Sequence, residues 1–98
     1  MLVAAYCIDK DDMLPTRLDV RPDHLQFLSE MGSRMKLAGP LMDEAGEHPV
    51  GSLIIISADS VAHAEKLMAA DPYRAAGLFK SVDFRPWRGV LGEWWGDA

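Results

Sequence analysis

The sequence predicts an α+β fold in which strands and helices follow one another in the order β-α-β-β-α-β. Residues 2–8 and 52–57 are short, almost entirely apolar runs, which is the pattern of strands buried within a sheet. Two further segments carry apolar residues at helical spacing. The chain has 98 residues, of which 49% are apolar, so we expect residues 1–98 to form one domain with its own core.

The first half of the chain predicts a strand, a long loop and a helix. Residues 2–8 have no polar face, so we expect a central strand that is covered on both sides. Residues 9–21 are polar and interrupted by Pro15, which predicts a loop. Pro22 suits the first turn of a helix, and we expect that helix to end near Lys36. One side of it carries a regular stripe: His24, Leu28, Met31 and Met35.

The remaining elements complete the pattern. Residues 37–42 contain Pro40 and predict an edge strand, and residues 43–51 predict a hairpin loop that leads into the strand at 52–57. Asp59 or Ser60 caps the second helix, and Pro72 stops it. Residues 79–87 have mixed polarity, which is typical of an edge strand. This order is that of a ferredoxin-like plait with an antiparallel sheet.

The direction of the two helices predicts a contact between His24 and Asp71. In such a plait the first helix starts, and the second ends, at the same end of the sheet. His24 is expected in the first turn of one helix and Asp71 in the last turn of the other. A carboxylate on one ring nitrogen would fix the histidine tautomer and leave the other nitrogen for a substrate. From spacing alone, a purely structural His–Asp bond is weighted somewhat above a catalytic one.

Four other side chains are expected near this pair. Arg17 and Arg21 lie on the predicted loop, where each would hold an anionic oxygen or form a surface ion pair with a nearby aspartate. Ser52 opens the third strand and would hydrogen-bond a ligand or simply satisfy its own hydroxyl. Tyr73 would line the pocket or form part of an ordinary amphipathic rim.

Composition excludes several classes of protein. The net charge of −5 argues against a nucleic-acid partner and against adsorption to anionic membranes. The single cysteine, Cys7, lies in an apolar run and is expected to be buried and unreactive. We find no Cys/His cluster for a metal, no cofactor motif, no signal peptide and no membrane-length apolar stretch. The expectation is a cytoplasmic protein without metal or cofactor.

The chain resembles the YciI-like (YCII-related) family. The matching stretches are Arg17-Leu-x-x-Arg-Pro-x-His24-Leu, Ala38-Gly-Pro40, Gly51-Ser52, and Ala70-Asp-Pro-Tyr73 followed by Ala76-Gly77. The resemblance implies a ferredoxin-like fold of the dimeric α/β-barrel type, a homodimer formed through the sheet, and an active site that contains His24 and Asp71. One branch of the family is a dehydrochlorinase of chlorinated hydroxyhydroquinones.

The resemblance shifts the balance towards a catalytic or ligand-binding His24–Asp71 pair. We expect a cofactor-independent lyase or isomerase that acts on a small molecule, with His24 as the general acid or base. The alternative is a dimeric ligand-binding or accessory protein without catalysis. All three tryptophans lie in residues 87–95, and we expect the tail at 88–98 to pack on the sheet edge or on a dimer partner.

Overall fold

The computed structural model describes residues 1–93, and residues 94–98, which include Trp94 and Trp95, lie outside this description. The elements are four strands, three α-helices and one short 3-10 helix. In chain order they are β1 (Leu2–Asp9), α1 (Leu14–Glu30), the 3-10 helix (Gly32–Arg34), β2 (Met35–Met42), β3 (Pro49–Ser57), α2 (Val61–Met68), α3 (Pro72–Ala75) and β4 (Phe79–Trp87).

The four strands form one antiparallel sheet in the order β2-β3-β1-β4. The two strands that the sequence marks as most apolar, β1 and β3, lie in the middle, and the predicted edge strands β2 and β4 lie at the edges. This arrangement confirms the predicted α+β ferredoxin-like plait. Ala5 of β1 lies opposite Ile54 of β3 and Phe84 of β4, which fixes the register.

The core lies between one face of the sheet and the helices. Val3, Ala5 and Cys7 of β1 point to this face, together with Ile54 and Ile56 of β3. They pack with three helical side chains: Leu28, Ala64 and Met68.

The opposite face of the sheet is open. Tyr6 is 47% exposed and Leu53, which lies opposite it, is 40% exposed. The prediction that β1 is covered on both sides is therefore wrong within the subunit. Alternation of side chains along a strand places these residues on the face away from the helices.

The structure corrects the prediction that residues 9–21 form a loop, because residues 14–21 belong to helix α1. The helix begins at Leu14, and Pro15 occupies its first turn, where no backbone N–H is required. Pro22, the expected first residue, lies inside the helix at an exposed position. Its ring removes one helical hydrogen bond, to the carbonyl of Leu18. Water can replace that bond because Leu18 is also exposed.

The end of α1 also differs from the expectation. The helix ends at Glu30 rather than near Lys36, and Gly32 adopts a positive φ of 58° at the start of the 3-10 helix. Met35 therefore opens β2 and pairs with Ile56 of β3 instead of continuing the helical stripe.

The second helix is capped as the sequence predicts. The Ser60 hydroxyl accepts a hydrogen bond from the backbone N–H of His63. The helix ends at Met68, and Pro72 then opens α3 in place of a simple stop. Asp71 is the N-cap residue of α3 and not part of the last turn of α2.

Two further observations concern membrane spans and the C-terminal tail. Within residues 1–93, no helix is both long and apolar enough to cross a bilayer. In the part of the predicted packing tail that is described, Val90 and Leu91 are exposed. Its last five residues fall outside the described range.

We predict that Gly51 cannot accept a side chain. A Cβ at Gly51 would collide with the backbone carbonyl of Cys7 on the neighbouring strand, which cannot move independently of the sheet. Gly51→Ala should lower the free energy of unfolding by about 1–3 kcal/mol, measured by urea denaturation.

Gly39→Ala is the matched control, because no heavy atom of residues 1–93 outside its chain neighbours lies within 4 Å of a Cβ built at Gly39. Its stability should change by less than about 1 kcal/mol. Equal stability of Gly51→Ala and wild type would contradict the close approach of β1 and β3.

Candidate active site

One side of α1 lines a cavity of about 170 Å³ between this helix and the β2–β3 hairpin. The residues on this side are separated by four, three and four positions, so the 3.6-residue period of the helix brings them into one stripe. They are Arg17, Arg21, His24 and Leu28. The opposite wall includes Pro40 and Ser52, and Tyr73 closes one end.

His24 lies in the wall of this cavity and is in direct contact with Asp71, which is buried and does not line it. The distance from His24 Nδ1 to Asp71 Oδ1 is 2.9 Å, and the two side chains are 7% and 0% exposed. The predicted meeting of the two residues is thus observed, although their places in the elements differ. His24 lies in the middle of α1 rather than in its first turn, and Asp71 precedes α3.

Asp71 is held by a second hydrogen bond. Its Oδ1 also accepts the backbone N–H of Tyr73 at 3.0 Å, which caps α3. The other oxygen, Oδ2, is buried and has no hydrogen-bond partner within residues 1–93. The carboxylate is therefore stabilised through Oδ1, which favours the tautomer in which His24 Nδ1 carries the proton. In that tautomer Nε2 is a hydrogen-bond acceptor, and none of the described residues bonds to it.

Tyr73 fixes the plane of the histidine ring. The ring centroids of His24 and Tyr73 are 3.9 Å apart and the planes differ by 17°, which is a stacked arrangement. Tyr73 in turn meets Phe79 edge to face at 5.9 Å. The orientation of His24 is therefore set by a hydrogen bond at its edge and by an aromatic contact on its face.

Arg17 is a member of a buried ion pair. Its Nε and Nη2 bond to the two carboxylate oxygens of Asp9 at 2.7 and 3.0 Å, and Nη2 also donates to Ser52 Oγ at 2.8 Å. Burial alone would lower the pKa of Arg17, but the hydrogen bond and charge of Asp9 raise it above its ordinary value. Of the two roles expected for Arg17, the ion pair is the one observed, on α1 and not on a loop.

Arg21 has a different environment from Arg17. It lies one turn further along α1, lines the same cavity and is exposed. Within residues 1–93 it forms no salt bridge and no side-chain hydrogen bond, so the expected surface ion pair with an aspartate is not found there.

Ionisation is disfavoured for the Tyr73 hydroxyl, which lines the cavity, and for the buried Cys7 thiol. Burial raises the pKa of Tyr73, and the positive charges of Arg17 and Arg21 only partly oppose that effect. Behind Asp71, burial and then the Asp71 charge raise the pKa of Cys7 from 9.0 to about 12. Both groups therefore stay protonated at neutral pH.

Two apolar side chains beside the cavity were not singled out by sequence reasoning. Leu18 and Leu25 line it from α1 although they are 55% and 44% exposed. Their seven-residue spacing is visible in the sequence, but it has meaning only once the helix is known to start at Leu14. Among residues 1–93, no three His, Cys, Asp or Glu side chains gather as potential metal ligands.

Comparisons with known proteins show similarity over nearly the whole chain. The model of the YCII-related domain matches residues 1–88. Protein YciI of Escherichia coli O6:H1 is 38% identical over 93% of this chain and all of its own length, and so is that of Shigella flexneri. A solved structure of 5-chloro-2-hydroxyhydroquinone dehydrochlorinase (TftG) from Burkholderia phenoliruptrix AC1100, in complex with 2,5-dihydroxybenzoquinone, superimposes with a TM-score of 0.85. It covers 92% of this chain and 96% of that chain at 26% identity.

We predict that the Cys7 thiol does not react in the folded protein. Its raised pKa of about 12 keeps the thiolate scarce, and its side chain is buried. A disulfide reagent such as DTNB should label it at pH 8 only after denaturation. Labelling of the native and denatured protein at equal rates would contradict the burial of Cys7.

The raised pKa of the Cys7 thiol also makes the free energy of unfolding depend on pH. Because the folded pKa is raised, its contribution is fully present below the unfolded pKa of 9.0 and is lost as the pH rises towards 12. In that range the free energy of unfolding falls by up to about 1.4 kcal/mol per pH unit. The Cys7→Ala variant, which has no thiol, should lack this component.

Proposed function

Because the chain belongs to the YCII-related family, we propose that it is an enzyme that transfers protons on a small single-ring molecule. The observation that carries the proposal is the buried His24–Asp71 pair, with His24 in the wall of a cavity. A carboxylate on Nδ1 and an unoccupied Nε2 form the arrangement by which a histidine acts as a general base.

The size of the cavity supports a ligand with one ring. A cavity of about 150 Å³ is known to hold a benzene molecule, and this cavity has about 170 Å³. Its walls combine apolar side chains, such as Leu25 and Leu28, with a few polar groups. That combination is typical of small-molecule sites.

Each polar residue has a role in the proposal. Nε2 of His24 takes a proton from the substrate, then returns it to the ring in an isomerisation or releases it to solvent in an elimination. Asp71 stabilises the imidazolium that forms in between. Ser52 accepts a hydrogen bond from Arg17, so its own O–H is available to a substrate oxygen. Arg17 lines the cavity, and its Nη1 has no hydrogen-bond partner within residues 1–93. Tyr73 packs against the ring of His24 and closes the cavity.

The reaction class follows from these groups. Elimination and isomerisation next to a carbonyl or phenol need only a proton acceptor and a proton donor in the right place. In an elimination, the proton moves to Nε2, the electrons of the broken bond form a new double bond, and the leaving group departs with the electrons of its own bond. The reaction named for TftG, loss of hydrogen chloride from a chlorinated hydroxyhydroquinone, is of this kind, and we propose the same class here.

We also propose that the protein is a cytoplasmic homodimer. The open face of the sheet carries Tyr6 and Leu53, both large and exposed, and burial of such a face against a second copy would be favourable. A monomer mass in sedimentation equilibrium at micromolar concentration would contradict the dimer, and recovery of the native protein in the membrane fraction would contradict the location.

The proposed activity is tested with a panel of ring compounds. Phenols, hydroxyquinones and lactones that raise the melting temperature are incubated with the protein in D₂O, and NMR detects deuterium incorporation. Chloride release is measured for 5-chloro-2-hydroxyhydroquinone. His24→Gln should lower the rate by about 10²- to 10⁴-fold, because the general base is lost.

The second variant, Asp71→Asn, should also lower the rate, since the amide cannot stabilise the imidazolium. A variant outside the cavity lining, Lys66→Gln on α2, should keep the wild-type rate. Full activity of His24→Gln would overturn the proposal. Compounds that bind but never exchange a proton would favour the non-catalytic ligand-binding protein instead.

A further inference from the structure

The charged residues of the cavity are unevenly paired. Arg17 is neutralised by Asp9 through two hydrogen bonds. Asp71, which does not line the cavity, accepts the N–H of His24 through Oδ1. Arg21 lines the same cavity but forms no salt bridge within residues 1–93. One positive charge therefore remains without a counter-ion beside the empty space.

The position of Arg21 relates this charge to the proposed base. Arg21 and His24 are three residues apart on α1 and so are neighbours on the helix surface. The Arg21 charge also reaches the phenol of Tyr73, on which the ring of His24 stacks. An anionic group held by Arg21 would thus lie close to the proton-transfer site.

We propose that Arg21 binds an ionised oxygen substituent on the ring substrate and so selects anionic over neutral ligands. The inference rests on the proposed function of this cavity and names its substrate class: a single ring that bears a phenolate, enolate or carboxylate oxygen. Guanidinium is the side chain best suited to such an oxygen, because it presents several N–H donors in one plane and keeps its charge at any physiological pH.

The apolar neighbours of Arg21 account for the preference for a ligand that contains a ring. Leu18 and Leu25 flank the arginine on the helix and line the cavity while partly exposed. They provide a surface for the ring, whereas Arg21 provides the charge. A ring without an anionic group would leave the guanidinium to solvent and gain only the apolar contact.

Two pairs of probe ligands separate the effect of ligand charge from the effect of ligand shape. The first is 2,5-dihydroxybenzoquinone, whose hydroxyl groups are acidic, and its neutral dimethoxy counterpart. The second is benzoate and benzamide. Dissociation constants are measured by calorimetry at low and high salt for wild type, Arg21→Gln and Lys66→Gln, in which one positive charge is removed from an exposed position of α2.

We expect the anionic member of at least one pair to bind wild type and Lys66→Gln about tenfold or more tightly than Arg21→Gln. The pair that shows the effect distinguishes a ring hydroxyl from a carboxylate. The neutral members should bind all three proteins equally, and added salt should reduce the difference.

Equal affinity of wild type and Arg21→Gln for both anions, or failure of wild type to bind either anion, would overturn the inference. If wild type also transfers protons on neutral rings in a manner that depends on His24, only the role of Arg21 fails. If no ring compound binds and none is turned over, the proposed function fails as well.

Discussion

The hydrogen bond between His24 Nδ1 and Asp71 Oδ1 is the interaction on which the candidate site depends. It joins the middle of α1 to the N-cap of α3, two segments separated by 47 residues, in a buried environment. The same Asp71 oxygen caps α3 and thereby positions Tyr73, which stacks on the histidine ring. Loss of the carboxylate would therefore disturb the histidine, the cap and the aromatic contact together, so the pair has a structural role besides the catalytic role that we propose for it.

The fold determines which side chains lie around this hydrogen bond. Helix α1 crosses the sheet with Arg17, Arg21 and His24 on one side, and these three residues face the β2–β3 hairpin across the cavity. The charge of Arg17 is paired with Asp9, and Nδ1 of His24 is bonded to Asp71. This pairing leaves Arg21 and Nε2 of His24 without a partner among residues 1–93, which is why base catalysis and anion recognition are proposed for the same cavity.

Much of the fold could be predicted from the sequence, because strand burial and helix caps are local signals. The apolar runs of β1 and β3, the Ser60 cap and the polarity of β4 are all visible in the sequence. The start of α1 was missed because Pro15 and Pro22 carry the same local signal, and only packing of the stripe from Arg17 to Leu28 decides between them. The contact of His24 with Asp71 was predicted correctly from topology, although each residue occupies a different part of its element. The pairing of Arg17 with Asp9, and the lack of an ion pair for Arg21 within residues 1–93, depend on side-chain geometry that no periodicity encodes.

The tautomer of His24 tests the central claim most directly. Long-range ¹H–¹⁵N correlation spectra distinguish protonated from bare ring nitrogens, and a His24→Gln spectrum separates its signals from those of His48 and His63. In the neutral ring of the wild-type protein we expect the proton on Nδ1 and a bare Nε2, with this preference lost in Asp71→Asn. A proton on Nε2 and a bare Nδ1, unchanged by Asp71→Asn, would contradict the hydrogen bond to Asp71 and the role of His24 as the base.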